Sequence, residues 1–124
     1  MDDKLREDIP IFQQIADTIE SGILDGSYQV GDRVPSTNEF AKYYQINPAT
    51  AAKGINHLVE QVILYKKRGI GMFVGDDART IILAKRNERF YNDYVVPLKS
   101  EALKLGITLE KLSELIQKGS PHEN

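Results

Sequence analysis

The residues of this chain best suited to chemistry lie in Lys66-Lys67-Arg68-Gly69-Ile70-Gly71. Three cations running into Gly-x-Gly fit two different tasks. A glycine-rich loop can turn backbone amides onto a nucleotide phosphate. A tight β-hairpin can instead lay its cations along a polyphosphate backbone. The nucleotide loop requires GxGxxG directly after a buried strand and at the opening of a helix. Here the third glycine is missing, and a β-prone run, Met72-Phe73-Val74, follows. The Gly-Lys-Ser/Thr of a Walker loop is also missing. The hairpin is therefore the expected structure, and contact with phosphates along a nucleic acid the expected chemistry.

Other chemistry has little support. The two histidines, His57 and His122, are not at a metal-ligand spacing, and there is no cysteine. No nucleophile elbow is present. The expectation is a protein that is not an enzyme and needs neither cofactor nor metal. No apolar run approaches the ~20 residues of a membrane span. The opening MDDKLREDIP lacks the apolar core of a signal peptide, so a cytoplasmic protein with no membrane partner is expected.

At 124 residues, 41% hydrophobic and 27% charged, the chain fits one small domain with an appendage. Its net charge is only −2, but the charge is unevenly placed. Residues 1–32 hold two cations against eight carboxylates, net −6, whereas residues 33–75 hold six cations against two carboxylates, net +4. Residues 76–124 hold eight of each. Local potential is what a phosphate backbone meets, so the basic centre outweighs the acidic total.

The elements that must position the basic segment can be read in order. After Pro10, a plausible first helical residue, Ile11, Ile15, Ile19 and Ile23 recur every four residues. That is an amphipathic helix of about four turns ending near Asp25-Gly26. Arg33-Val34 can form at most a short strand before Pro35. Ser36 with Glu39 is a capping box opening a two-turn helix. Gln45-Ile46 is a tight turn, and Asn47-Pro48 reads as N-cap and first residue of the next helix. In that helix Ala51, Gly54, Ile55, Leu58, Val59 and Val62 form an apolar stripe. The opposite face carries Ala49, Ala52, Lys53 and Asn56, and small or polar side chains there let a helix approach a DNA major groove. The hairpin follows, with Phe73 expected to anchor its return strand to the core. Helix, short strand, helix, tight turn, helix and hairpin make a winged helix-turn-helix. The fold class is mainly α with a small β-wing.

The stretch from Ile9 to Gln61, with Lys66 to Val74, resembles the winged domain of GntR-type transcriptional regulators. The matching pieces are Pro10-Ile11-Phe12-Gln13-Gln14-Ile15, Gly22 and Gly26, Gly31-Asp32-Arg33-Val34-Pro35-Ser36, Glu39 with Ala41, Asn47-Pro48 with Thr50, Arg68-Gly69, Gly71 and Phe73-Val74. The short remainder is similar to the YtrA-type subfamily, whose tail is a dimerisation element. The resemblance implies a repressor, often of a transporter operon, that binds operator DNA. Many relatives carry arginine where this chain has Asn38, Pro48, Ala52 and Ile70, and glycine where it has Val62. Pro48 is usual for the short-tailed relatives.

On this reading Asn47–Gln61 is the recognition helix. Thr50, in its first turn, offers a hydroxyl beside free N–H groups to a phosphate oxygen, or simply satisfies the helix end. Ala49 and Ala52 either touch thymine methyls or are inert. Lys53 reaches a base edge or phosphate, or is a solvated lysine. Ser36, Thr37 and Asn38 position the backbone at the preceding helix start. Lys66, Lys67 and Arg68 lie along the wing and either contact phosphates, Arg68 above all, or protect an exposed edge; Gly69 belongs to the same DNA-binding set. Arg33 and Asn47 complete the candidate DNA-binding set.

Three regions are expected: a DNA-binding domain over residues 9–76, a helical dimerisation region over 77–119, and a disordered tail over 120–124. Ile81, Ile82, Phe90, Tyr91, Tyr94, Leu98, Leu105 and Leu112 are the candidate dimerisation residues. Pro97 should kink or break the helix, and Gly106 and Thr108 should end it and start the last one. So much apolar surface on so short a segment calls for a symmetric homodimer, whose two reading heads imply a pseudo-palindromic operator. Phe90, Tyr91 and Tyr94 either pack there or line a pocket for an unidentified small-molecule effector. The acidic first helix and missing arginines leave one alternative, a winged-helix protein-interaction module that does not bind DNA.

Overall fold

The computed structural model describes residues 5–119 of the chain, so the 120–124 tail and His122 lie outside the described residues. Two compact units divide it between Ala84 and Lys85.

The first unit opens with α1 (Ile11–Leu24). Its four-residue repeat of isoleucines places Ile15 and Ile19 fully inside and Ile23 nearly so, while Ile11 stays exposed. Pro10 sits one position earlier than expected. It caps the helix from outside, its carbonyl accepting from the N–H groups of Gln13 and Gln14. A short strand, β1 (Arg33–Val34), leads into α2 (Thr37–Tyr44) and α3 (Pro48–Glu60). The link between α2 and α3 is tight because Gln45 takes a left-handed conformation, φ 55°. There the Ile46 N–H reaches back to the Ala41 carbonyl.

The same motif closes α3, with the Ile63 N–H on the Leu58 carbonyl and Val62 at φ 63°. A β-branched residue is seldom found in this region. The missing glycine at this position therefore changes the side chain and leaves the turn intact.

β2 (Leu64–Lys67) and β3 (Gly71–Val74) form the wing hairpin, and β1 adds to the far side of β3. The sheet is antiparallel in the order β1-β3-β2. Arg33 and Tyr65 both stand opposite Phe73, and Lys67 opposite Gly71. Side chains alternate along a strand, so Leu64, Met72, Val74 and Val34 face one side while Arg33, Tyr65, Lys67 and Phe73 share the other. Val34, Leu64 and Val74 are buried in the core, with Met72 packed against it. The expectation for Phe73 is therefore corrected: the wing is anchored by Met72 and Val74, and Phe73 lies on the opposite face.

Gly54 explains how α3 is seated. A β-carbon there would lie 2.6 Å from the Phe12 carbonyl oxygen and 3.1 Å from the Ile15 β-carbon. The backbones of α1 and α3 touch at this point, which only glycine permits without displacement.

The first turns of α4 (Ala78–Phe90) also belong to this core. Ala78 and Ile82 are fully buried in it, and Ile81 packs against it. Burial corrects one dimerisation candidate, Ile82, while Ile81 is only partly covered. Ile82 is a core residue of the winged unit, and Ile81 supports it. Arg79 fastens the same turn by donating to the Leu24 carbonyl at 2.9 Å.

The second unit holds the rest of α4, a π-helical turn at Tyr91–Val95, α5 (Val96–Lys104) and α6 (Leu109–Gln117). Pro97 neither ends nor breaks the helix. It has no N–H, and its ring would press on the carbonyl four residues back in a regular helix. The chain widens by one residue ahead of it, with the Val96 N–H on the Tyr91 carbonyl. Gly106 (φ 70°) then ends α5, and Thr108 caps α6 through the Lys111 N–H. Ala102 and Leu112 are the buried apolar contacts of this unit.

Candidate nucleic-acid interface

The candidate surface is assembled from the starts of α2 and α3 and from the wing. Ser36 and Glu39 form the expected reciprocal cap: the Glu39 N–H donates to Ser36 Oγ at 3.1 Å, and the Ser36 N–H donates to Glu39 Oε1 at 3.0 Å. These bonds, the backbone one first, hold the Glu39 carboxyl below its usual range, with Arg33 assisting. Thr37 is half-buried and Asn38 exposed at this helix start.

At the start of α3, Asn47 accepts the Ala49 N–H through Oδ1 at 2.8 Å. The Thr50 and Ala51 N–H groups both reach the Asn47 carbonyl, and Pro48 has no N–H to give. The free amides expected beside Thr50 are therefore already satisfied within the helix end. Only the Thr50 hydroxyl remains as a donor of the predicted kind. Pro48 and Ala49 are exposed, and Thr50 and Ala52 are half-buried. The face is small and flat at its leading end, as its composition implied.

Lys53 is exposed, and its ammonium lies 4.1 Å from the centre of the Phe12 ring on α1. An exposed cation–π contact contributes about 0.5–1 kcal/mol. Lys53 is thus parked at the α1–α3 contact, and a weak interaction must be released before it reaches outward. His57 meets the same ring edge-on at 6.3 Å.

The wing carries the densest positive charge. Gly69 (φ 77°) makes its turn, closed by the Ile70 N–H on the Lys67 carbonyl at 2.9 Å. Lys66, Arg68, Gly69 and Ile70 are all exposed. Arg33 reaches the wing from β1, with Nε donating to the Ile70 carbonyl at 3.4 Å and Nη2 standing 3.5 Å from Glu39 Oε1. Arg33 therefore links the wing tip to the α2 cap, both through long contacts. Tyr65 and Phe73 stack at 5.8 Å, and the Lys67 ammonium lies 4.6 Å from the Phe73 ring centre. Lys67, Tyr65 and Phe73 form a cationic, aromatic patch that the candidate set omitted. The signal that finds it is strand parity. Once Lys67 pairs with Gly71, residues 65, 67 and 73 must share a face.

Among the described residues no cluster of His, Asp or Glu could hold a metal ion. None of the described helices is long and apolar enough to cross a membrane.

Residues 11–74 match the family model described as bacterial regulatory proteins, gntR family. The chain is 30% identical over 112 residues to the HTH-type transcriptional repressor YtrA of Bacillus subtilis strain 168, spanning 90% of this chain and 85% of that protein. It superposes on a GntR family transcriptional regulator from Listeria monocytogenes with a TM-score of 0.76 and 30% identity, covering 94% of this chain and all of that one. Its winged unit is also similar to the DNA-binding domain of AraR solved with operator ORR3, at 31% identity and a TM-score of 0.52. That match covers 54% of this chain and 81% of the AraR chain. By the match over its winged unit and the likeness along nearly all its length to a repressor, this chain belongs to the GntR family and is a transcriptional regulator, not an enzyme.

Proposed function

We propose that this regulator represses transcription by binding a pseudo-palindromic operator as a homodimer. The observation that carries the reading is the grouping, on one winged unit, of a small-residue helix start at Pro48–Ala52 with a basic wing at Lys66–Arg68. A likeness to an operator-bound domain supports it. Phosphate contacts by Lys66, Lys67 and Arg68 would supply affinity and salt dependence. Base selection falls to the α3 face of Ala49, Thr50, Ala52 and Lys53, with Ser36, Thr37, Asn38 and Asn47 positioning the backbone. Arg33 and Gly69 serve by shaping the wing.

The tail supplies the dimer contact through Phe90, Tyr91, Tyr94, Leu98 and Leu105, all exposed on the single chain. Leu112 acts indirectly, by seating α6. A cytoplasmic repressor of a transporter operon is the biological setting proposed.

Selection of bound duplexes from a random pool tests the reading. The expected product is an enriched inverted repeat whose retention falls steeply with salt. Recovery of no enriched sequence at low salt would overturn operator binding and favour a protein-interaction module. Enrichment of a single unrepeated site would overturn the dimer.

A further inference from the structure

A cavity of about 340 Å³ lies beside α2 in the winged unit, on residues that the DNA-binding reading does not use. Its walls include the rings of Tyr28, Phe40, Tyr43 and Tyr44. Phe40 and Tyr44 are nearly parallel, 8° apart, with centres 6.3 Å apart, and Tyr43 stands at 87° to Tyr44, 4.9 Å away. The volume is within the usual range for a small ligand. Tyr28, Tyr43 and Tyr44 keep exposed ring surface beside this space, whereas Phe40 is nearly buried.

The charges point the same way. Of the residues lining the cavity, Glu39 alone is charged. Its carboxyl is held ionised by the Ser36 cap. Burial, then Tyr44 and Asp25, keep the Tyr28 hydroxyl in its neutral form. Rings and carboxylate together make a surface that favours a cation over an anion, with the carboxylate shared by the Arg33 guanidinium at 3.5 Å. The same composition recognises alkylammonium groups elsewhere in chemistry.

We infer that this cavity is a binding site for a small organic cation of the alkylammonium class, held by the rings of Tyr28, Tyr43 and Tyr44 and by the Glu39 carboxylate. The site does not depend on DNA binding. It is coupled to the candidate interface by one group. Glu39 holds the Ser36 N–H and is within reach of Arg33, which contacts the wing tip. A bound cation draws on the same carboxylate and so perturbs the α2 cap.

The test uses the full chain with choline as the cationic probe and dimethylbutanol, its uncharged carbon isostere, as the control. Saturable shifts of the Tyr28, Tyr43 and Tyr44 ring resonances, and of the Ser36 amide, are expected with choline and not with dimethylbutanol. Tyr43→Ala removes a ring that is 63% exposed, and should weaken choline binding about threefold. Glu39→Gln retains a side chain able to cap Ser36, and should weaken choline about fivefold while leaving the helix intact. Shifts that do not saturate, equal binding of the two probes, or unchanged binding in both variants would overturn the site.

Discussion

The two units of this chain handle apolar side chains in opposite ways. In the winged unit Ile15, Ile19, Ile55, Leu58, Ile63, Leu64 and Ile82 are wholly inside. Among the described residues of the tail, ten large hydrophobic side chains are exposed, from Phe90 to Ile116, and only Ala102 and Leu112 are buried. The first unit closes a core from its own sequence. The second forms helices but leaves its apolar faces uncovered, as expected of so short a segment. The helices of the tail are specified locally, by a π turn, a glycine stop and a threonine cap. On the homodimer proposed above, a second chain covers them.

The boundary between these regimes is the sharpest point at which to break the contrast. Ile82→Ala should destabilise the winged unit by about 3 kcal/mol in thermal or denaturant unfolding. Truncation after residue 76, which removes Ala78 as well, should cost more, whereas truncation after residue 84 should leave a folded unit. Equal stability of the two truncations would place Ile82 outside the core.

The tail should answer differently to loss of apolar groups. Phe90→Ala with Tyr94→Ala should leave unfolding of the winged unit within about 0.5 kcal/mol of the parent. On the proposed dimer, the parent should sediment as a dimer and the same variant as a monomer. A variant that stays dimeric removes these rings from the contact.

Val62 offers a smaller effect of opposite sign. At φ 63° its branched side chain is strained, and it is 66% exposed, so little packing compensates. Val62→Gly should raise stability by about 1 kcal/mol. A lower midpoint would mean that this side chain makes a contact worth more than the strain.

The smallest effect concerns pH. Glu39 is held below its ordinary range in the folded chain, so its contribution is present at neutral pH and is lost as pH falls through that lowered value. Glu39→Gln should flatten part of the acid limb of the stability profile. An unchanged acid limb would show that the cap contributes the same with either side chain.

Much of the winged unit was legible because its signals are local. The four-residue isoleucine repeat, the Ser36–Glu39 box, Asn47-Pro48 and the glycine-bearing hairpin each act within a few residues. Reading failed where a distant partner decides. The Ile82 periodicity announces a helix but not the neighbour it buries against. The facing of Phe73 depends on the pairing of Lys67 with Gly71, one residue either way reversing it. The amides near Thr50 were expected to be free although the Asn47 N-cap already implied that its side chain takes one; its carbonyl takes two more. The Lys67–Tyr65–Phe73 patch was missed for the parity reason that misplaced Phe73. At Pro97 a kink or break was expected, but a helix can widen around a proline instead of stopping at it.

The contact at Gly54 has a mechanical consequence. With the α3 backbone packed directly on α1 at Gly54, sliding or rolling of the helix meets main chain rather than side chains that could repack. A duplex that docks on this face meets a fixed template. Misfit must then be absorbed by the nucleic acid, through groove width and bending, so that sequences easy to deform are favoured even at positions no side chain reaches.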